Sequence, residues 1–373
     1  MKRVAILFEY PSVNGGENSM LAALQHLASN AATEFHFAAI APGSGALPDR
    51  LDELGIERQP LSIFADDGQR RPRDVVEDDI RTAVAELRPN LLHANSLSMG
   101  RWLGRIAHTL DVPVTAHLRD IIGLSNSAIR DLNRNVRLIA VSDATRDFHV
   151  AQGIEPARIC VVRNGINADS FAPCERSRRA VRSELAIPEE AITVLTAGQI
   201  GLRKGLDTLA EAAVSLSATH SGIHWLLAGE RFSTKAESIA FEQAIDQRFR
   251  SAGNQLTYHR LGWRSDMHRV MSAADMLVHA ARQEPLGRVL LEAAAAGLAI
   301  VATDVGGTSE ILRHEESALL VPPDQPRSMA AAIKGLVEDQ NARLRLGHAA
   351  RLDIQSGFQL ENSALRLAAE WSL

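Results

Sequence analysis

Two carboxylates, Glu284 and Glu292, carry the spacing and surroundings that could do chemistry. They lie in LVHAARQEPLGRVLLEAAAAGLAIVATDVGGTSEIL, residues 277–312. Glu284 sits at a loop–helix junction, and Glu292 falls inside a small-residue helix predicted over Leu286–Ala296. Pro285 suits the first helical turn, where its missing N–H has no partner to lose. The amides of Leu286, Gly287 and Arg288 then open the helix, and the helix dipole makes such a start an anion site. Phosphate-binding amides beside two acceptors for hydroxyls suit a sugar nucleotide. In isolation, two glutamates at this spacing read as solvated surface charges, so their context decides.

That context is a set of elements. An apolar run ends at His279, a polar loop leads to Glu284, Gly297 stops the helix, and a second apolar run, Ala299–Ala302, leads to Gly306-Gly307. Strand, loop, helix, strand and glycine turn are the grammar of a parallel α/β sheet, which binds ligands at the loops after its strands. EPLGRVLLEAAAAG followed by DVGGTSE closely resembles the signature of glycosyltransferase family 4, the retaining GT-B enzymes. The resemblance implies two Rossmann-like parallel-sheet domains facing a cleft, with a C-terminal helix crossing back to the first. Glu284 and Glu292 match the family's Glu-x7-Glu pair, which implies that the first meets the transferred sugar and the second the donor ribose.

Length and composition bound the alternatives. A chain of 373 residues exceeds one typical core and suggests two domains. Hydrophobic residues at 46% and charged residues at 23% are those of a globular protein. No apolar run is long enough to span a bilayer. MKRVAILFEYP reads as a first strand rather than a leader, and two cysteines, Cys160 and Cys174, suggest neither disulfide framework nor zinc cluster. A cytoplasmic location is expected. The net charge of −5 argues against a general nucleic-acid binder.

The first domain is expected over 1–170, with 356–373 packing back on it. Strands are predicted at Arg3–Phe8, Glu34–Ile40, Asn90–His93, Val112–Ala116, Leu138–Val141 and Ile159–Val162, with helices at Glu17–Ala28, Asp49–Leu54, Asp74–Leu87 and Gly100–Leu110, and residues 65–73 as a polar connection. Ser142 caps a further helix. Gly15 and Gly16 let backbone amides approach a phosphate, although a plain tight turn explains them equally well. The family resemblance places this glycine loop opposite the donor and makes His117, in TAHLRDIIG, a contact of the donor sugar. Arg119 and Asp120 could face the acceptor. Arg101, Trp102 and Arg105 could touch an anionic membrane, as a weak peripheral contact at its inner face, or an acidic acceptor; the alternative is a solvated helix face with one packed Trp. Family members often have Asp where this chain has Asn167.

The second domain is expected over 171–355, with Asp169–Arg182 as linker. Strands are predicted at Ile192–Ala197, His224–Ala228, Leu256–Leu261 and Met276–His279. Lys204-Gly205 matches the family's Lys-Gly and aims a cation at a diphosphate. The family commonly has Arg where Gln199 sits, and Arg203 could compensate. By resemblance, Gly262 and Trp263 lie beside the nucleotide base.

Together these residues suggest transfer of a sugar from a nucleotide-sugar donor to an unidentified acceptor. Glu284, His117, Lys204 and Arg203 form the catalytic set. Gly15, Gly16, Gln199, Gly262, Trp263, Pro285, Leu286, Gly287, Arg288 and Glu292 bind the donor. No Asp-x-Asp motif stands where it could hold a metal on a diphosphate, so catalysis without metal or other cofactor is expected. The alternatives are a non-catalytic sugar-nucleotide-binding protein, kept open by Gln199 and Asn167, and a GT-B sugar-nucleotide 2-epimerase.

Overall fold

The computed structural model describes residues 2–30, 34–65 and 67–372. Met1, Asp66 and Leu373, which fall inside segments assigned above, lie outside the described residues. The chain divides into two units, Met1–Gly165 with Leu360–Leu373, and Ile166–Gln359.

The first unit alternates strand and helix: β1 (Lys2–Leu7), α1 (Gly15–Ser29), β2 (Phe35–Ala41), α2 (Ala46–Glu53), β3 (Glu57–Pro60), α3 (Arg73–Leu87), β4 (Leu91–Ala94), α4 (Leu97–Ile106), β5 (Val114–Leu118), α5 (Asn126–Leu132), β6 (Arg137–Ala140), α6 (Asp143–Ala151) and β7 (Ile159–Val161). The strands form one parallel sheet in the order β3-β2-β1-β4-β5-β6-β7. Strands buried on both faces, such as Val4–Leu7 and Leu91–Ala94, explain the continuous apolar runs.

The second unit continues with α7 (Glu175–Glu184), β8 (Thr193–Ala197), α8 (Leu206–Ser217), β9 (His224–Ala228), α9 (Ala236–Arg250), β10 (Thr257–Gly262), α10 (Met267–Ala273), β11 (Met276–His279), α11 (Arg288–Ala295), β12 (Ala299–Thr303), α12 (Thr308–Ile311), β13 (Leu319–Val321), α13 (Pro326–Glu338) and α14 (Gln340–Gly357). Its sheet is parallel, in the order β10-β9-β8-β11-β12-β13. The last helix, α15 (Leu360–Glu370), belongs to the first unit and packs on α1. Trp371 seats it, fully buried against Phe35, Phe37 and His93. The two parallel sheets and the returning helix are the expected GT-B elements.

Several local expectations are corrected. Residues 175–184 form a helix rather than a linker. Two of its arginines are anchored inward: Arg178 reaches Asp275 Oδ1 at 2.8 Å, and Arg182 lies 3.5 Å from Asp275 Oδ2, which also accepts from the Thr193 amide at 2.7 Å. Strand β3 was not expected, because its sequence ERQP has no apolar alternation. It is an edge strand held by Arg3–Glu57, with Arg58 turned back to Asp52. Helix α4 begins three residues before Gly100 because Ser96 caps it, accepting from the Met99 amide at 3.1 Å. Trp102 on that helix is buried in the core, and Arg105 pairs with Glu77 at 2.8 Å. This is the packed-Trp alternative, and no membrane-facing Trp remains there. Among the described residues no helix is long and apolar enough to cross a membrane.

Candidate active site

In the second sheet the chain runs from β8 outward to β9 and β10, then returns to place β11 on the other side of β8. The loops after β8 and β11 therefore flank a topological switch point, where open α/β sheets form their ligand crevice. The loop after β8 carries Gln199, Arg203 and Lys204, and the loop after β11 carries Glu284. Arg282 fastens one loop to the other. Its amide donates to the Arg203 carbonyl at 2.8 Å, and its guanidinium reaches the Leu202 carbonyl, Asp207 and Asp324, each at 2.7 Å. Gly205 (φ +59°) is where the first loop turns into α8, and a Cβ there would lie 1.9 Å from the Ala280 carbonyl oxygen.

The clamp brings Lys204 Nζ to 2.5 Å from Glu284 Oε2, and His279 Nε2 to 2.7 Å from the same oxygen. Glu284 is 6% exposed. Its burial favours the neutral acid, but Lys204 and His279 outweigh that and hold the carboxyl well below its usual range. Burial lowers the Lys204 ammonium, with Glu284 opposing and Arg203 reinforcing the shift. Burial and Lys204 also depress His279, so the neutral ring donates Nε2–H to the carboxylate. The main chain of Glu284 is fixed as well, accepting from the Gly307 amide at 2.9 Å. Gly307 must be glycine for this approach, since a Cβ would lie 2.5 Å from the Pro285 carbonyl oxygen.

Glu292 sits one helix beyond. Arg288 Nε donates to it at 2.7 Å, an i,i+4 pair along α11. Burial raises the Glu292 carboxyl, and Arg288 only partly offsets it. Helix α11 starts at Arg288, with Gly287 (φ +105°) before it. This corrects the expected start at Leu286: Pro285 and Leu286 lie in the loop, and Leu286 is buried.

Gln199, Lys204 and His279 line a small concavity with Thr196, Ala197, Gly198 and Leu206. Gln199 and Arg203 are exposed. Gly262 (φ +64°) ends β10, and the Trp263 amide donates to Glu230 at the end of β9 at 3.1 Å. Trp263 is 54% exposed, a large aromatic held at the sheet's carboxyl edge without being core. Asn167 caps a short turn by accepting from the Asp169 amide at 3.2 Å, the task an Asp would perform.

The first sheet has its own switch point, between β1 and β4. Gly15 and Gly16 open α1 instead of forming a turn before it, and Asn14 with Glu17 closes a capping box. A Cβ on Gly16 would lie 3.1 Å from Arg119 Cδ, so the glycine makes room for that side chain. Arg119 in turn bonds the Asn95 carbonyl, Asn95 Oδ1 and Asn164 Oδ1, each at 3.0 Å. His117 lies within β5, 2% exposed, rather than past its end. Its Nδ1 is 2.7 Å from His93 Nε2.

Three groups escaped the sequence reading. His279 ends a strand five residues before Glu284, and His93 stands in the apolar run LLHAN; each is a polar residue inside an otherwise apolar strand, which was the available signal. Glu9 is buried at the end of β1, where Ser98 and Ser96 donate to it at 3.0 and 3.3 Å. Among the described residues no group of three or more His, Cys, Asp or Glu side chains could hold a metal ion.

Residues 13–170 match the model described as Glycosyltransferase Family 4, and residues 177–353 match Glycosyl transferases group 1. The lipopolysaccharide core biosynthesis glycosyltransferase LpsE of Rhizobium meliloti is 29% identical over 180 residues, 48% of this chain and 49% of that protein. The alpha-maltose-1-phosphate synthase of Mycobacterium tuberculosis is 29% identical over 57% of each chain. The chain thus spans about half the length of these relatives. Anabaena HepE, solved with UDP and glucose, superimposes over all of both chains with a TM-score of 0.86 at 19% identity. Sucrose-phosphate synthase from Thermosynechococcus elongatus gives 0.80 at 20% identity, over 100% of this chain and 98% of that one.

Proposed function

This chain belongs to glycosyltransferase family 4, and from that premise we propose that it transfers a sugar from a nucleoside-diphosphate sugar to an acceptor, with the anomeric configuration retained. One observation carries the proposal: the buried Lys204–Glu284–His279 cluster at the second sheet's switch point, next to Arg288–Glu292. A cation and a carboxylate so placed suit a donor with a diphosphate at one end and hydroxyls at the other. The relatives' names and the UDP-glucose bound to HepE in its crystal structure support the donor class.

In the proposed reaction the bond from the anomeric carbon to the diphosphate oxygen breaks, the acceptor's hydroxyl oxygen bonds to that carbon, and the hydroxyl proton leaves with the diphosphate. Positive charge grows on the sugar ring and negative charge on the leaving diphosphate. Lys204, with Arg203 beside it, stabilises the leaving charge; a preorganised cation is worth most in a water-poor site. Glu284 holds a hydroxyl of the transferred sugar through the oxygen not taken by Lys204 and His279. Glu292 takes the ribose hydroxyls and Trp263 the base; His117, Gly15 and Gly16 are the first unit's own sugar and phosphate contacts. The positive charge on the leaving-group side comes from side chains, so no metal or other cofactor is needed.

The test is thermal stabilisation against UDP-, GDP- and ADP-sugars, followed by a donor hydrolysis and transfer assay. A ligand at 100 times its dissociation constant adds about 2.7 kcal/mol. One nucleotide class is expected to stabilise the wild type and to lose that effect in Glu292→Ala, with turnover unchanged by a chelator. Stabilisation without hydrolysis or transfer to any saccharide or lipid-linked acceptor would favour the non-catalytic binder. Turnover lost to chelator and restored by manganese would refute metal independence.

A further inference from the structure

A buried polar line crosses the first sheet. His93 on β4 is the register partner of Thr115 on β5. Thr115 and His117 are two apart on one strand and so share a face. His93 Nδ1 lies 2.8 Å from Thr115 Oγ1, and His93 Nε2 lies 2.7 Å from His117 Nδ1. Thr115 and His93 are fully buried and His117 nearly so. Trp371 packs on the His93 ring at 5.3 Å and closes that side. Burial, with Arg119 adding repulsion, holds both rings well below the ordinary histidine value, so both are neutral.

A neutral imidazole has one N–H and one bare nitrogen. Two arrangements of the line are therefore open, and each fixes every proton in it. Proton bookkeeping at Thr115 separates them. Its hydroxyl has one hydrogen to give, and His93 Nδ1 is its only hydrogen-bond partner among the described residues. If His93 Nδ1 carried the proton, the buried threonine hydrogen would have no acceptor, a costly defect. If Thr115 donates instead, both donors inside the line, Thr115 Oγ1–H and His93 Nε2–H, have acceptors. His93 then carries its proton on Nε2 and donates it to His117 Nδ1. His117, whose Nδ1 now accepts, must carry its own proton on Nε2.

We infer that Thr115 and His93 are positioning residues that hold His117 as the Nε2–H tautomer, making it a hydrogen-bond donor to an oxygen of the bound sugar. The inference rests on the glycosyltransferase reading for its ligand, and on the geometry and burial of the line for its tautomer. It also limits the chemistry. With Nδ1 occupied and Nε2 protonated, neutral His117 cannot take a proton from a substrate. It donates to a hydroxyl of the sugar and does not serve as the base that a 2-epimerase elimination would require.

The test is nitrogen-15 NMR of the full chain labelled at histidine, with resonances assigned by His117→Gln and His93→Gln. His117 is expected to show a protonated Nε2 and a bare Nδ1 in the wild type and in Thr115→Ser, which keeps the hydroxyl. In Thr115→Val the donor to His93 Nδ1 is gone and the His117 ring should become a mixture of tautomers. With the donor identified in the stabilisation screen, kcat should fall about 3- to 10-fold in Thr115→Val, return to within twofold in Thr115→Ser, and leave donor KM within twofold. A wild-type His117 protonated on Nδ1 would overturn the inference whatever the activity. An unchanged kcat in Thr115→Val despite mixed tautomers would overturn the positioning role. The expected tautomer in a chain that turns over no donor would leave the proton line standing and refute the glycosyltransferase reading.

Discussion

Replacing Lys204 with methionine removes the cation from the most deeply buried ion pair of the candidate site while keeping most of the side chain's volume. Glu284, 6% exposed, would then face the neutral His279 alone. Breaking a buried pair by removing one partner costs about 3–5 kcal/mol. The remaining His279 hydrogen bond places Lys204→Met at the lower end, about 3 kcal/mol. For a domain of this size each kcal/mol shifts the midpoint by about 2–4 °C, which gives a drop of about 6–12 °C by calorimetry. Glu284→Gln removes the stranded charge, so Lys204→Met with Glu284→Gln should recover part of the loss, a coupling of about 1–3 kcal/mol. The pH dependence has a fixed sign. Glu284 is depressed below its ordinary value of 4.5, so the pair's contribution is complete above that value and lost as pH falls below it. In the variant the unopposed carboxyl titrates higher, so the gap to wild type narrows on acidification from pH 7 to pH 4. Turnover in Lys204→Met should fall about 100- to 1000-fold. Independent, additive costs in the double-mutant cycle, or a gap that widens on acidification, would refute the buried-pair account. Full turnover would remove Lys204 from the leaving-group role even if the stability result held.

Trp263→Ala should leave stability within about 0.5 kcal/mol, because the ring is half exposed. It should weaken nucleotide binding by about 1–3 kcal/mol in a calorimetric titration, the value of stacking one base on an aromatic ring. Gly205→Ala forces a side chain into positive φ and within 1.9 Å of the Ala280 carbonyl, and should cost at least about 2 kcal/mol in the same calorimeter. Gly201→Ala, at a glycine with nothing within 4 Å of its Cβ position, is the matched control and should be near neutral.

Most strands and the longer helices were legible because their signals are local: apolar runs of strand length, 3.6-residue periodicity and glycine stops. Errors fell where a distant partner overrides local chemistry. Residues 175–184 look like a solvated linker until Asp275, almost a hundred positions away, is available to bind Arg178 and Arg182. Glu57–Pro60 is a strand because β2 offers it a ladder, not because of its own residues. Ser96 sets the start of α4 through one side-chain bond that apolar spacing does not reveal.

The candidate site follows the same logic. Glu284, Glu292 and Lys204 could be singled out by motif, but their partners were hidden by the topology that makes the crevice. Lys204 and Glu284 are 80 positions apart because β9 and β10 are laid on one side of β8 before β11 returns to the other. A connection that simply continued outward would have shortened no such distance and left no crevice between the two loops. The first sheet repeats the pattern at shorter range: His93 and His117, 24 positions apart, meet because β4 and β5 are neighbours. His93 and His117 are satisfied across adjacent strands, whereas His279 finds Glu284 in the loop after its own strand. Their presence in apolar runs is visible in the sequence, whereas their protonation states exist only once strand order is known. The tautomer of His117 and the charge of Glu284 are therefore properties of the fold, set by Thr115 with His93 and by Lys204 with His279.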